Sequence, residues 1–233
     1  MRIRALLAAS FFALLVRAGD PSLALLAMPA DPAPKLPAAI PETFAKRLDP
    51  RGVRLSGGDG KTVCELWLCS DVAFAKKASD EQRVKLPTLP FGTLIGALNV
   101  VGPMTDYRNQ ALAVGCYGLR IGWQPNDGNH LGTSDSRDFA VVTTFAQDKD
   151  PAPVPKLEEL AKLSIPASPT DHLMALYLAN PEGDAPKDGE ARLFQRAGKE
   201  EWAADVTLAG KAEGASETTK LRVGVVLIGH VSE

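Results

Sequence analysis

The stretch QPNDGNHLGTSDSRDF, residues 124–139, gathers His130 with Asp127, Asp135, Asp138, Arg137, Ser134 and Ser136. A histidine among carboxylates and hydroxyls can act as a general base, as an ion-pair partner or as an anchor for the loop. Three readings follow. As a polar turn, Pro125 to Asn129 bends the chain, Gly128 is free to take positive φ, and Asp127, Ser134 and Asp135 cap their own backbone. Arg137 then pairs with Asp135 or Asp138, and His130 holds the loop by one hydrogen bond. As a binding surface, the connection of about fourteen residues is longer than a hairpin needs, and long ordered loops often carry function. As a catalytic site, it would need a nucleophile and base meeting across the fold, which adjacency in sequence does not supply. The structural reading leads, because a local cluster is a weak signal of chemistry.

Other chemistry is thinner. SGGDGKT, residues 56–62, ends like a phosphate loop, but Leu55 stands where the first glycine is required. The strand-like VCELWLC follows it, so no helix N-terminus is there to hold a phosphate. The unit reads instead as a hairpin, VRLS-GGDG-KTVCELWL. No Gly-x-Ser-x-Gly, His-Glu-x-x-His or Gly-x-Gly-x-x-Gly occurs. His130, His172 and His230 can converge on a metal only through the fold, with Asp127 or Asp171 as a fourth ligand, and no spacing supports it. No metal and no cofactor are expected. Of the three cysteines, Cys64 and Cys69 point to opposite sides of one strand. Either can pair with Cys116 from a neighbouring strand, Cys69–Cys116 being the candidate bridge, and three unpaired thiols are the alternative.

The elements that must position these groups are mostly strands. CYGLRIGW, residues 116–123, alternates most clearly: Tyr117, Leu119, Ile121 and Trp123 share a face, and Cys116, Gly118, Arg120 and Gly122 share the other. Two glycines on that barer face imply a close neighbour or a bend. Further strands are expected at 63–69, 93–102, 138–145, 172–179, 191–196, 202–209 and 220–231. VPKLEELAKL, residues 154–163, is the one helix of the domain, with Pro155 in its first turn and a leucine stripe. About eight or nine strands and one connecting helix describe an all-β antiparallel sandwich over residues 51–233, with a β-barrel as the alternative.

The chain begins with a secretory pattern. Arg2 and Arg4 precede an apolar run from Ala5 to Val16, and Val16-Arg17-Ala18 offers a cleavage site, with a later one at Ala30. The run is shorter than the roughly 20 residues that span a bilayer. Residues 19–50, rich in proline and alanine, read as a tether with a short helix near its end. Loss of Arg2, Arg4 and Arg17 takes the formal charge from -2 to -5. Neither a basic face for nucleic acid nor a basic amphipathic segment for a membrane surface is present. The expected product is an exported periplasmic or extracellular protein that does not insert in a membrane after signal removal.

The run GCYGLRIGWQPNDGNHLGTSDSRDF resembles a segment of a family of exported bacterial proteins of unknown function. In that family Gly-x-Tyr-x-Leu-Arg leads into Pro-x-Asp-Gly-x-His-x-Gly and Arg-Asp-Phe, here Gly115, Tyr117, Leu119, Arg120, Pro125, Asp127, Gly128, His130, Gly132, Arg137, Asp138 and Phe139. ELWLC and TDYRNQ are also similar, although the usual Arg-Gly pair is Arg108-Asn109 here. The likeness spans roughly residues 60 to 180. It implies an exported β-sandwich without a known activity, and one ionic cluster of Arg120, Asp127, His130, Arg137 and Asp138. Taken with Asp135, these residues are the candidate binding group, toward an unknown protein, glycan or small ligand; a hydrolase using His130 and nearby carboxylates is the alternative.

Overall fold

The computed structural model describes residues 24–26, 34–57, 59–130, 133–181, 183–186 and 191–229. The signal segment, residues 27–33 of the tether and His230 lie outside these.

The protein is mainly β. Its strands are β1 (Ala24–Leu26), β2 (Val53–Ser56), β3 (Thr62–Leu68), β4 (Val72–Phe74), β5 (Leu94–Val100), β6 (Met104–Thr105) and β7 (Ala111–Leu112). They continue with β8 (Gly115–Trp123), β9 (Asp138–Thr144), β10 (Met174–Ala179), β11 (Arg192–Gln195), β12 (Trp202–Ala212) and β13 (Thr219–Ile228). Two helices accompany them, α1 (Glu42–Ala45) and α2 (Leu157–Ser164). One curled, open sheet runs β1-β2-β3-β5-β8-β9-β10-β13-β12-β11, while β6 and β7 form a separate hairpin. The expectation of a purely antiparallel sheet fails at one place. β4 pairs in parallel with the far end of β12, Val72 opposite Gly210. A three-residue strand with a partner far along the chain leaves no local pattern in the sequence.

The alternation expected of residues 116–123 holds. Tyr117, Leu119 and Ile121 are buried in the main core, in register with Leu98 of β5 and Leu66 of β3. Inward residues of the distant limb, such as Leu176, Leu208 and Val225, share that core. The opposite face is not bare. A Cβ on Gly118 would lie 2.6 Å from Thr143 Oγ1, and one on Gly122 would lie 2.4 Å from Val141 Cγ2. Phe145, Asp148 and Leu160 of α2 close over this face, all of them buried.

Two expectations shift. The tether, from residue 34 onward, packs onto the sheet: Ile40, Phe44 and Leu48 are buried, and Phe44 meets Phe145 edge-on at 4.9 Å. Trp67 is fully buried beside Gly52. The helix expected at 154–163 starts only at Leu157. Asp150, Ala152 and Val154 each precede a proline, which disfavours the helical region for them. The Val154 N–H donates instead to Gly92 O at 3.2 Å.

Candidate functional site

The loop between β8 and β9 is fastened at its base by side-chain hydrogen bonds. At its neck, Gln124 N–H donates to Arg137 O at 2.9 Å. The Gln124 side chain donates to Thr133 Oγ1 and accepts from Ser134 Oγ. Arg137, 7 % exposed, donates to Gln124 O at 2.5 Å, to Gln82 O at 3.1 Å and to Glu81 Oε2 at 2.8 Å. Its carboxylate partner is thus Glu81, not Asp135 or Asp138. Asp138 is buried and accepts the backbone N–H groups of Lys85 and Leu86, at 2.8 and 3.1 Å. Arg83 completes this strap by donating to Ser134 O at 2.7 Å. Residues 81–86 therefore run along the loop as a splint, bound through the side chains of Arg137 and Asp138 where the loop enters β9.

The far side of the loop rests on an aromatic group that sequence reading missed. Phe139 of β9 stands opposite Tyr177 of β10, their rings 5.4 Å apart. Tyr107, from the turn between β6 and β7, stacks on Tyr177 at 5.1 Å. The guanidinium of Arg196, beyond β11, lies 4.5 Å from the Tyr177 ring centre, within range of a cation–π attraction. Tyr177 shares a hydrogen bond with Ser136 Oγ at 3.1 Å, and Tyr107 donates to Thr133 O at 3.4 Å. Burial pushes both phenols above their ordinary range. The aromatic residues are scattered in sequence, and only the β9–β10 register and the β6–β7 turn bring them together. The same turn contains Asn109. Its φ of +61° is a left-handed conformation that asparagine tolerates.

The single ionic cluster implied for Arg120, Asp127, His130, Arg137 and Asp138 does not form. Arg120 is buried on the outer face of β8. It gives Nε to Asp148 Oδ2 at 2.7 Å and Nη2 to Oδ1 at 2.8 Å. Its remaining N–H groups bond to the carbonyls of Gly92, Ala152 and Asp150. All five donors of the guanidinium are thereby used. Thr143 donates to the same carboxylate at 2.8 Å. The group rivets residues 148–152 to the sheet.

Asp127 and His130 form an isolated pair at the loop tip, Nδ1 to Oδ1 at 2.6 Å, with side chains 33 % exposed for His130 and 49 % for Asp127. The His130 hydrogen bond holds the Asp127 carboxyl below its usual range. Among the described residues, no hydroxyl or thiol bonds to the His130 ring, so the pair lacks the nucleophile a triad requires. Asp135 reaches the β11–β12 turn, bonding Arg196 Nη2 at 2.5 Å and Lys199 Nζ at 3.4 Å. Burial alone would raise its pKa; Lys199 and then Arg196 outweigh that and hold it down. Arg196 is also bonded through Nη1 to the buried Glu201.

The three thiols are free, so the Cys69–Cys116 bridge does not form. β5 lies between the β3 edge that carries Cys64 and Cys69 and the β8 strand that carries Cys116. Two strand spacings amount to about 9.6 Å, beyond the reach of a disulfide. Cys116 instead bonds Asn99 of β5, Sγ to Oδ1 at 3.3 Å. His172 sits exposed beyond α2, its N–H bonded to Thr170 Oγ1. Among the described residues, no group of three or more His, Cys, Asp or Glu is placed to hold a metal ion. Two hollows on the described surface are shallow. One is lined by residues 195–200 of the β11–β12 turn, the other by residues 147–155 and α2. No family model matches the chain, and no curated protein or solved structure matches it.

Proposed function

We propose that this protein is an exported, non-enzymatic module that binds a protein, glycan or small ligand through the surface where the 124–138 loop meets the β11–β12 turn. One observation carries the reading: Arg137 and Asp138 are held by the 81–86 splint while Asp135 meets the β11–β12 turn, so the loop is fixed at its base and presented beside that turn. A hydrolase would need a base with space beside it for substrate. Asp127 orients His130 through Nδ1, but among the described residues no hydroxyl or thiol bonds to the ring. Pre-ordered loops bind with a smaller entropic cost, which suits recognition.

Export rests on Arg2, Arg4 and the apolar run before Ala18, and it agrees with the resemblance of residues 60 to 180 to exported bacterial proteins. We read the two limbs of the curled sheet as sandwich-like, since inward residues of both limbs share one core. The test has two arms. Expression of the full chain with N-terminal sequencing of the exported material is expected to show cleavage after Ala18 or Ala30. A thermal-shift screen of the mature protein against peptides, glycans and small molecules is expected to find a stabilising ligand whose effect is lost in Lys199→Ala. Hydrolytic turnover abolished by His130→Ala would overturn the reading.

A further inference from the structure

The β11–β12 turn holds two cations aimed at one carboxylate that it does not own. Arg196 is fixed before any ligand arrives, with the face of its guanidinium over Tyr177 and Nη1 on Glu201. Its side chain is only 11 % exposed, and its free edge, Nη2, turns outward to Asp135 Oδ2. Lys199, past the bend at Gly198 (φ +71°), approaches the other oxygen, Oδ1. The hollow of about 380 Å³ formed by residues 195–200 opens beside this pair. Asp135 is the movable member: its side chain is 48 % exposed, and it comes from a different loop. Exposed ion pairs contribute little to stability, so such a carboxylate can be exchanged at small cost. Arg196 cannot leave as easily, since it is pinned by Tyr177 and Glu201.

We propose that Arg196 and Lys199 form a carboxylate receptor that Asp135 occupies from within the chain, and that an acidic side chain of a partner polypeptide competes for it. This rests on the reading of the loop–turn surface as a binding surface, and it names the chemistry of the ligand. A polypeptide acid fits better than an acidic sugar. The seat already takes an aspartate carried on an irregular stretch of main chain. The nearest aromatic ring, Tyr177, is 2 % exposed and offers no face on which a sugar could stack. A planar guanidinium with a second cation beside it recognises both oxygens of a carboxylate.

The probe is a fluorescein-labelled, end-capped TSDSRD peptide, the sequence of residues 133–138, read by fluorescence polarisation at low salt. If Asp135 fills the seat about nine-tenths of the time, freeing the seat raises apparent affinity about ten-fold. Asp135→Ala, checked for an unchanged melting temperature, is therefore expected to bind the peptide about ten-fold more tightly than the parent. Adding Lys199→Ala is expected to remove that gain, as is replacing the third residue of the peptide by Asn. Equal binding of the Asp and Asn peptides to Asp135→Ala would overturn the proposal. So would binding of polygalacturonate by that variant with none of the peptide. A ligand from the thermal-shift screen that both Asp135→Ala and Lys199→Ala leave unaffected would also overturn it, while leaving the protein a binding module.

Discussion

Removing the carboxylate of Asp148 is expected to be among the most damaging single changes to this fold. Arg120 is fully buried, and its five N–H groups have five partners, two of them the oxygens of Asp148 at 2.7 and 2.8 Å. Asp148→Ala leaves two donors and one full charge without compensation in a site closed by Thr143, Phe145 and Leu160. Breaking one side of a buried pair costs about 3–5 kcal/mol. For a domain of this size each kcal/mol corresponds to roughly 2–4 °C, so the melting temperature is expected to fall by about 10 °C. Urea unfolding followed by tryptophan fluorescence gives the free energy directly, and the slope of the transition should stay unchanged. The double variant Arg120→Met, Asp148→Leu is expected to recover part of the loss, because apolar residues can replace a buried ion pair at little cost. Recovery stays incomplete, since the carbonyls of Gly92, Asp150 and Ala152 lose their donor. Limited trypsin digestion would locate the damage, with new cleavage at Lys149 or Lys156 where the strap lifts from the sheet. A stability within about 1 kcal/mol of the parent for Asp148→Ala would refute the reasoning, because a charge left buried at that site cannot cost so little.

At the loop tip the expectation is the reverse. Asp127→Ala and His130→Ala should leave the melting temperature unchanged within error, because exposed pairs contribute little. The pair is still visible by titration. Asp127 should titrate below the ordinary aspartate range by NMR and return to it in His130→Ala. A depressed folded pKa means fewer bound protons in the folded state. Any small stabilisation is therefore present above the unfolded value and lost as pH falls through the folded one. Burial pushes the thiols of Cys64 and Cys69 up to about 12, so both should resist maleimide until the protein unfolds. The half-buried Cys116 should label first in the native state, and a mass consistent with a disulfide in the untreated protein would contradict the strand order.

How far the site could be read from the sequence depends on where each partner lies. Tyr117, Leu119 and Ile121 announce their burial by alternation, because side chains in a strand reverse direction at each residue. The turn at residues 125–129 and the Asp127–His130 contact are legible too, since both are made within a few residues. Arg137 was matched to the nearest acids in sequence, yet it reaches Glu81, 56 residues away. Asp148 and Arg120 are 28 residues apart and meet only because the chain after β9 folds back over β8. The neighbours Asp135 and Asp138 diverge for the same reason, one toward the β11–β12 turn and the other toward the splint at 81–86.

From its order of residues alone, this chain determined that it would be mainly β, that Tyr117, Leu119 and Ile121 would face the core, and where its longest polar connection would fall. Those are local matters of side-chain direction, turn chemistry and apolar spacing. The tertiary structure alone decided which strands became neighbours, that β5 would keep Cys116 from the other thiols, and that a parallel contact would join β4 to β12. It also separated one supposed ionic cluster into four distinct sets of contacts. Charges a few residues apart gain little from each other while water screens them, whereas a partner delivered by the sheet into a buried site gains far more. Register therefore outranked proximity along the chain.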